Sequence, residues 1–270
     1  MEVIQSLQAA QTTTMDSHKL TDTQTTILRY LYRFRFLTSI QLSKLLSQTI
    51  RYTNYHLKVL SENNFIAKHY NRTLGLANQP AVYYLASGSI KALEDQKNID
   101  FRALKRIYRE KNRSQQFIAH ASFLAEYFLF IRADSDISEQ TLHFFTKTDL
   151  LAHPYFIHPL PDAYFARVDK KSMTKRYMVE VVEDSSPRFA LRKRIEQYCD
   201  YIEDGKFTEA TGHDFPTLLF ICPGYASLIY LKKHIARIYE ETSLDQVEIY
   251  IATKEQAFAG SWEKIEAEDD

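Results

Sequence analysis

Residues 37–66, LTSIQLSKLLSQTIRYTNYHLKVLSENNFI, decide how the first third of this chain folds. Thr38-Ser39-Ile40-Gln41 has the form of a capping box, in which the Thr38 hydroxyl and the Gln41 side chain each satisfy an amide left open at a helix start. Leu42, Leu45 and Leu46 then supply an apolar face, which predicts a short helix at about 39–46. After a turn at Ser47-Gln48, Ile50, Leu57 and Leu60 share one stripe and predict a further helix over 49–62. That helix should stop at Asn63-Asn64, residues that tolerate the left-handed conformation of a helix end. Upstream, Ile27, Leu28, Leu31 and Phe34 recur at three- and four-residue spacing within 22–36, with Thr21 or Asp22 as the cap, so another amphipathic helix precedes the pair.

Two runs rich in aromatic and β-branched residues follow, Phe65 to Tyr70 and Ala81 to Leu85, separated by the turn-prone NRTLGLANQP. They predict a β-hairpin. Three helices and a hairpin make a winged helix-turn-helix, and LTSIQLSKLL, HLKVLSENNFI and VYYLASGSIKAL resemble the phrasing of that family. With Ile50, Leu57 and Leu60 turned inward, the opposite face of the third helix carries Arg51, Tyr52, Tyr55 and Lys58, donors and rings suited to phosphates and major-groove base edges. Lys68, Tyr70, Asn71 and Arg72 fall on the hairpin, where contacts to backbone position a protein on duplex more than they specify sequence. The competing reading is a solvated face of a helical protein-interaction module.

Charge favours the polyanion. Across 270 residues Lys plus Arg equals Asp plus Glu, but residues 1–115 hold 17 positive and 8 negative groups, a net of +9, whereas 116–270 hold 17 and 26, a net of −9. A basic head and an acidic remainder imply different partners. Arg102, Arg106, Arg109 and Arg113 are spaced to share one side of a predicted connector helix over 98–114, either following a phosphate backbone or forming that helix's wet face over Leu104 and Ile107. The start of the chain is polar, no run approaches the roughly 20 apolar residues of a membrane span, and Cys199 and Cys222 lack zinc-ligand neighbours. A cytoplasmic, soluble protein with no structural metal is expected.

From Gln115 to Arg132 the sequence QQFIAHASFLAEYFLFIR is too rich in Phe and Leu for an exposed helix and should lie on a sheet. Strands are predicted at 141–145, 163–168 and 177–182, then a helix at 187–203, a strand at 218–222, a helix at 225–241 and a strand at 247–252. This order describes an α/β sandwich around a mixed sheet. The expected division is a disordered tail 1–20, a winged helix 21–97, the connector 98–114, an α/β domain 115–256 and an acidic tail 257–270.

With Pro161-Asp162 opening one strand and Glu180 inside the next, the second half resembles the PD-(D/E)xK, restriction-endonuclease-like nucleases. The resemblance implies Asp162 and Glu180 as carboxylates holding Mg²⁺ or Mn²⁺, with a lysine two positions past the second acid. That position holds Val182. Lys193 is the candidate substitute, and Gln197 with Tyr201 echoes a Q-xxx-Y pattern of some members. Against this, Asp162 closes a turn after Pro161 and Glu180 pairs with Arg192 or Arg194. His153 and His158 receive no role.

Taken together, the winged helix, the basic connector, QQFIAHASFLAEY with His120, PDAYF, RYMVEVVED and RIEQYCDYI resemble the replication-relaxation family of plasmid and mobile-element proteins, from about residue 20 to 255. The resemblance implies a sequence-specific double-stranded DNA-binding protein acting in replication, relaxation or mobilisation. The nuclease-like half is then expected to be non-catalytic and to serve homodimerisation or docking of replication or mobilisation proteins, with no cofactor and no membrane partner. His120, although at a family position, is expected to be a packed, hydrogen-bonded histidine. The alternatives are a Mg²⁺- or Mn²⁺-dependent endonuclease targeted by its winged helix, and a winged-helix transcription regulator.

Overall fold

In the computed structural model, which describes residues 20–69, 81–97, 99–239 and 242–266, Thr21 and Thr38 both build capping boxes. Thr21 starts helix α1 (Asp22–Phe34); after strand β1 (Leu37–Thr38), Thr38 starts α2 (Ser39–Leu46), exchanging bonds of 3.1 and 3.0 Å with Gln41. Thr49 caps α3 (Ile50–Glu62), and Asn64 takes the left-handed conformation just beyond it, at φ 57°. Strands β2 (Ile66–His69) and β3 (Val82–Leu85) pair antiparallel, and β1 adds to the other edge of β3, giving the order β1-β3-β2. A short helix α4 (Ser89–Leu93) follows.

Two expectations fail in this region. Ile50 is 44% exposed, so the core stripe of α3 is Thr53, His56, Leu57 and Leu60, and the first turn lies outside the core. Nor is there one helix across 98–114. Helix α5 (Phe101–Leu104) gives way to a 3-10 turn over Ile107–Asn112. Leu104, Ile107 and Glu110 are all buried, a spacing of three that matches the three residues per turn of a 3-10 helix rather than the 3.6 of an α-helix.

Helix α6 (Gln115–Ile137) buries residues around most of its circumference, as expected of a helix with neighbours on several sides. On one side it meets α2, where the Gln41 amide donates to the Ser122 carbonyl at 2.9 Å, Lys44 pairs with Glu126 at 2.9 Å, and Arg132 donates to the Lys44 carbonyl at 2.7 Å. On another it covers the large sheet, with the Phe128 and Phe144 rings 4.9 Å apart.

That sheet is built from β4 (Thr141–Thr146), β5 (Ala163–Val168), β6 (Thr174–Val181), β7 (Thr217–Cys222), β8 (Ile249–Thr253) and β9 (Glu263–Lys264), in that spatial order. β4, β5 and β6 form an antiparallel meander, β7 and β8 add parallel to β6, and β9 closes antiparallel. The parallel steps are bridged by α8 (Arg188–Glu203) with α9 (Lys206–Thr211), and by α10 (Tyr225–Ile238); α7 (Lys147–Leu150) follows β4. Residues alternate cleanly: Val179, Val181, Leu219 and Ile221 join the core shared with α6 and the N-terminal helices, while Met178, Leu218, Phe220 and Cys222 pack under α8 and α10.

The stretch 257–270, expected as a tail, is structured where it is described. Thr253 and Gln256 form a capping box for α11 (Lys254–Phe258), and Ala257 and Ile265 are both fully buried. The architecture is mixed α+β with two sheets, and no helix among the described residues is long and apolar enough to cross a membrane.

Candidate nucleic-acid interface and the carboxylate pair

Helix α3 sorts its residues by face. Inward go Thr53, His56, Leu57 and Leu60, at the spacing that places four side chains on one stripe. Outward go Arg51, Asn54 and Lys58, together with Tyr52 at 47% and Tyr55 at 62% exposure. The two tyrosines are braced rather than free, because each ring meets the buried His56 edge-on, at 4.6 and 5.3 Å. Burial pushes His56 below the ordinary histidine pKa, which favours the neutral ring between the two tyrosines. Lys58 lies 3.9 Å from Glu62, an exposed pair one turn apart that leaves the ammonium available. On the hairpin, Lys68 is exposed and sits 5.6 Å from the Tyr83 ring. Tyr70, Asn71 and Arg72 lie outside the described residues. The break in the connector separates its arginines: Arg106, Arg109 and Arg113 converge on one cavity, and Arg102 is exposed and does not line it.

Asp162 opens β5 and is 6% exposed. Its Oδ1 accepts from His120 Nε2 and from Lys147 Nζ, both at 3.0 Å, and its Oδ2 accepts from the Val181 amide at 2.8 Å. Burial alone would raise this carboxyl, but the His120 hydrogen bond and the Lys147 charge hold it well below the usual carboxylate range. The second ring nitrogen of His120 faces Glu183 at 3.3 Å, and Gln116 donates to Glu183 in turn. Burial would lower His120; the two carboxylates outweigh it and raise its pKa.

Glu180 belongs to the other face. Its Oε1 accepts from Arg194 and, at 2.6 Å, from the Tyr198 hydroxyl, both on α8. Burial, opposed by Arg194 and reinforced by the Asp162 charge, pushes Glu180 up. Arg194 is thus the partner chosen from the two foreseen; Arg192 instead reaches the Tyr230 hydroxyl at 3.3 Å. Lys193 is exposed, Val182 is buried with its amide donating to Ile221, Gln197 accepts from Arg194 at 3.3 Å, and the Tyr201 hydroxyl donates to the Tyr155 carbonyl at 2.7 Å.

Two carboxylates share a divalent ion only when each turns a free oxygen toward it. Here the bonded oxygens of Asp162 and Glu180 are taken by cationic and neutral donors on different elements, and among the described residues no group of three or more His, Cys, Asp or Glu is disposed to hold a metal. Asp162 engages both of its oxygens, whereas the donors to Glu180 all meet Oε1. Sequence reasoning missed Lys147, which lies in no motif, and Glu183, which lies within RYMVEVVED but carried no assigned role there. It also missed Tyr198, whose spacing of four from Arg194 puts both on one face of α8.

Among curated proteins none matches the chain. A family model described as Replication-relaxation matches residues 28–217, well over half of the length; it begins within α1 and includes α3, α6, Asp162 and Glu180. The chain belongs to the replication-relaxation family.

Proposed function

We propose that this protein is a sequence-specific double-stranded DNA-binding protein that serves replication or relaxation of a plasmid or other mobile element, with its N-terminal elements forming a winged helix. The observation that carries the reading is the outward face of α3: Arg51, Tyr52, Tyr55 and Lys58 are exposed while the opposite stripe is core. A helix in this position of a winged helix enters the major groove, where arginine forks and ring edges read bases. The excess of positive charge in residues 1–115 favours the same partner. Family membership supplies the biological setting.

We read the helix, three-strand, helix, strand order of the second half as a restriction-endonuclease-like fold, and we assign it a docking or homodimerisation role rather than metal-dependent cleavage. What supports this is the engagement of Glu180 by Arg194 and Tyr198, and of Asp162 by His120 and Lys147.

Selection from a random-sequence duplex pool, followed by binding to the selected duplex, tests both halves. Arg51→Ala and Tyr55→Ala should each weaken binding by about 1–3 kcal/mol with melting temperature unchanged, and affinity should fall steeply with added salt. Wild-type affinity in both variants would remove α3 from the interface. Nicking of supercoiled plasmid in Mg²⁺ or Mn²⁺, abolished by Asp162→Ala and Glu180→Ala, would replace the docking role with an endonuclease.

A further inference from the structure

We infer that the cavity between α1, the 3-10 turn and α6 is a binding site for a phosphate monoester, distinct from the outer face of α3. The cavity has a volume of about 320 Å³, within the size range of small-ligand pockets. Its walls carry Arg33, Arg35, Arg106, Arg109, Arg113 and Lys147 against two carboxylates, Glu110 and Asp162. Asp149, outside the lining, neutralises Arg33 at 2.7 Å, and Lys147 is bonded to Asp162. Arg35 and Arg113 compete for the single carboxylate of Glu110, and both guanidinium groups lie over the Phe117 ring, at 4.5 and 4.6 Å.

Arg106 and Arg109 pair with no acid among the described residues, Arg109 spending only its Nε, on the Tyr108 hydroxyl at 3.2 Å, and the buried Nε of Arg113 has no hydrogen-bond partner there. Burial first, and then the charges of Arg35 and Arg109, pull Arg113 below the ordinary arginine pKa against the opposing charge of Glu110. Guanidinium forks converging on one space, with donors unspent, match the three terminal oxygens and double charge of a phosphate monoester. Leu31, Ala121 and Leu124 floor the same cavity and accommodate the less polar body that carries the phosphate.

Two sources share this chemistry, a free nucleotide and the 5′ end of a DNA strand. Calorimetric titration of the full chain compares AMP with adenosine, and a 5′-phosphorylated hexanucleotide with its 5′-hydroxyl counterpart. The phosphorylated form of at least one pair should bind about tenfold tighter or more, as expected for one or two charge-assisted hydrogen bonds. A gain confined to AMP identifies a free nucleotide, and one confined to the oligonucleotide identifies a strand terminus. Arg106 and Arg109 are exposed, so the double variant Arg106→Ala/Arg109→Ala should keep its melting temperature and lose the gain, while Arg51→Ala should retain it whether or not α3 binds duplex. Equal affinity with and without the phosphate, an unchanged gain in the double variant, or its loss in Arg51→Ala would each overturn the assignment.

Discussion

Gly88 sits so close to the turn after α3 that a Cβ placed on it would meet the Asn64 carbonyl oxygen at 2.6 Å. The approach is fixed from both sides: the Gly88 amide donates to that same oxygen at 3.1 Å, and the Asn64 side chain donates to Ser87 Oγ at 3.2 Å. Backbone cannot yield as a flexible side chain can, so Gly88→Ala should cost about 1–3 kcal/mol in chemical denaturation. An unchanged midpoint would show that the turn opens freely. The His120–Asp162 pair makes a second single-residue prediction, with a sign set by the two shifts. His120 is raised above 6.5, so its contribution is complete below that pH and disappears as pH rises through the folded value. Asp162 is lowered below 3.8, so its contribution is present above that pH and disappears only as pH falls beneath it. The stability lost in His120→Asn should therefore be greatest between about pH 4 and 6.5 and should shrink by pH 8.5. A deficit equal at pH 6 and pH 8.5, read from melting temperatures, would show that His120 acts by packing alone.

At the level of elements, α2 and α3 were legible from sequence, because caps and apolar spacing act within one turn: Thr38 with Gln41 sets the start of α2, and Asn64 marks the end of α3, whereas the equally well-capped but short α7 and α11 were not foreseen. What escaped depended on partners distant in sequence. His56 and Thr53 are polar, yet they belong to the buried stripe, the one between two tyrosines and the other bonded to the Thr49 carbonyl at 3.1 Å. The arginine spacing of 102–113 was read with an α-helical period, whereas the buried positions Ile107 and Glu110, the latter paired with Arg35, follow a 3-10 period. Order along the chain, on which the metal reading of Asp162 and Glu180 rests, says nothing of the cations that α6, α7 and α8 bring to them. One such long-range device holds α2: Arg132 of α6 donates to the last carbonyls of that helix, those of Lys44 and Leu45, satisfying groups that a helix end leaves open. Arg132→Ala should lower stability by about 1–3 kcal/mol, while duplex affinity changes little because α3 itself is untouched. A loss of binding at full stability would instead make the α2–α6 contact part of the DNA-facing surface.

Over the whole molecule, the charge division between the two halves is not matched by a division of the core. One continuous cluster runs from Ile27, Leu31 and Leu60 through Leu124 and Phe128 of α6 to Phe165, Val179, Ile221 and Ala252 of the sheet. Helix α6 is the shared wall, and Arg33 of α1 extends the contact by pairing with Asp149 and lying 5.4–5.9 Å from the rings of Phe34, Phe128 and Phe144. Fully buried leucine and phenylalanine side chains contribute about 1.5–3 kcal/mol each, so separating the N-terminal helices from α6 would expose more apolar surface than a hinge between independent units tolerates. The chain should therefore unfold in one cooperative step, although its length and charge pattern suggest two. Trp262 is the only tryptophan, and it packs against this cluster beside the sheet, whereas far-ultraviolet circular dichroism weights the helices of both halves. Denaturation curves from tryptophan fluorescence and from dichroism should coincide, and Leu28→Ala, far from Trp262 in sequence, should shift both midpoints by the same amount. A dichroism transition that precedes the fluorescence change, or a Leu28→Ala shift seen by dichroism alone, would show that the N-terminal helices melt on their own and that α6 does not couple them to the sheet.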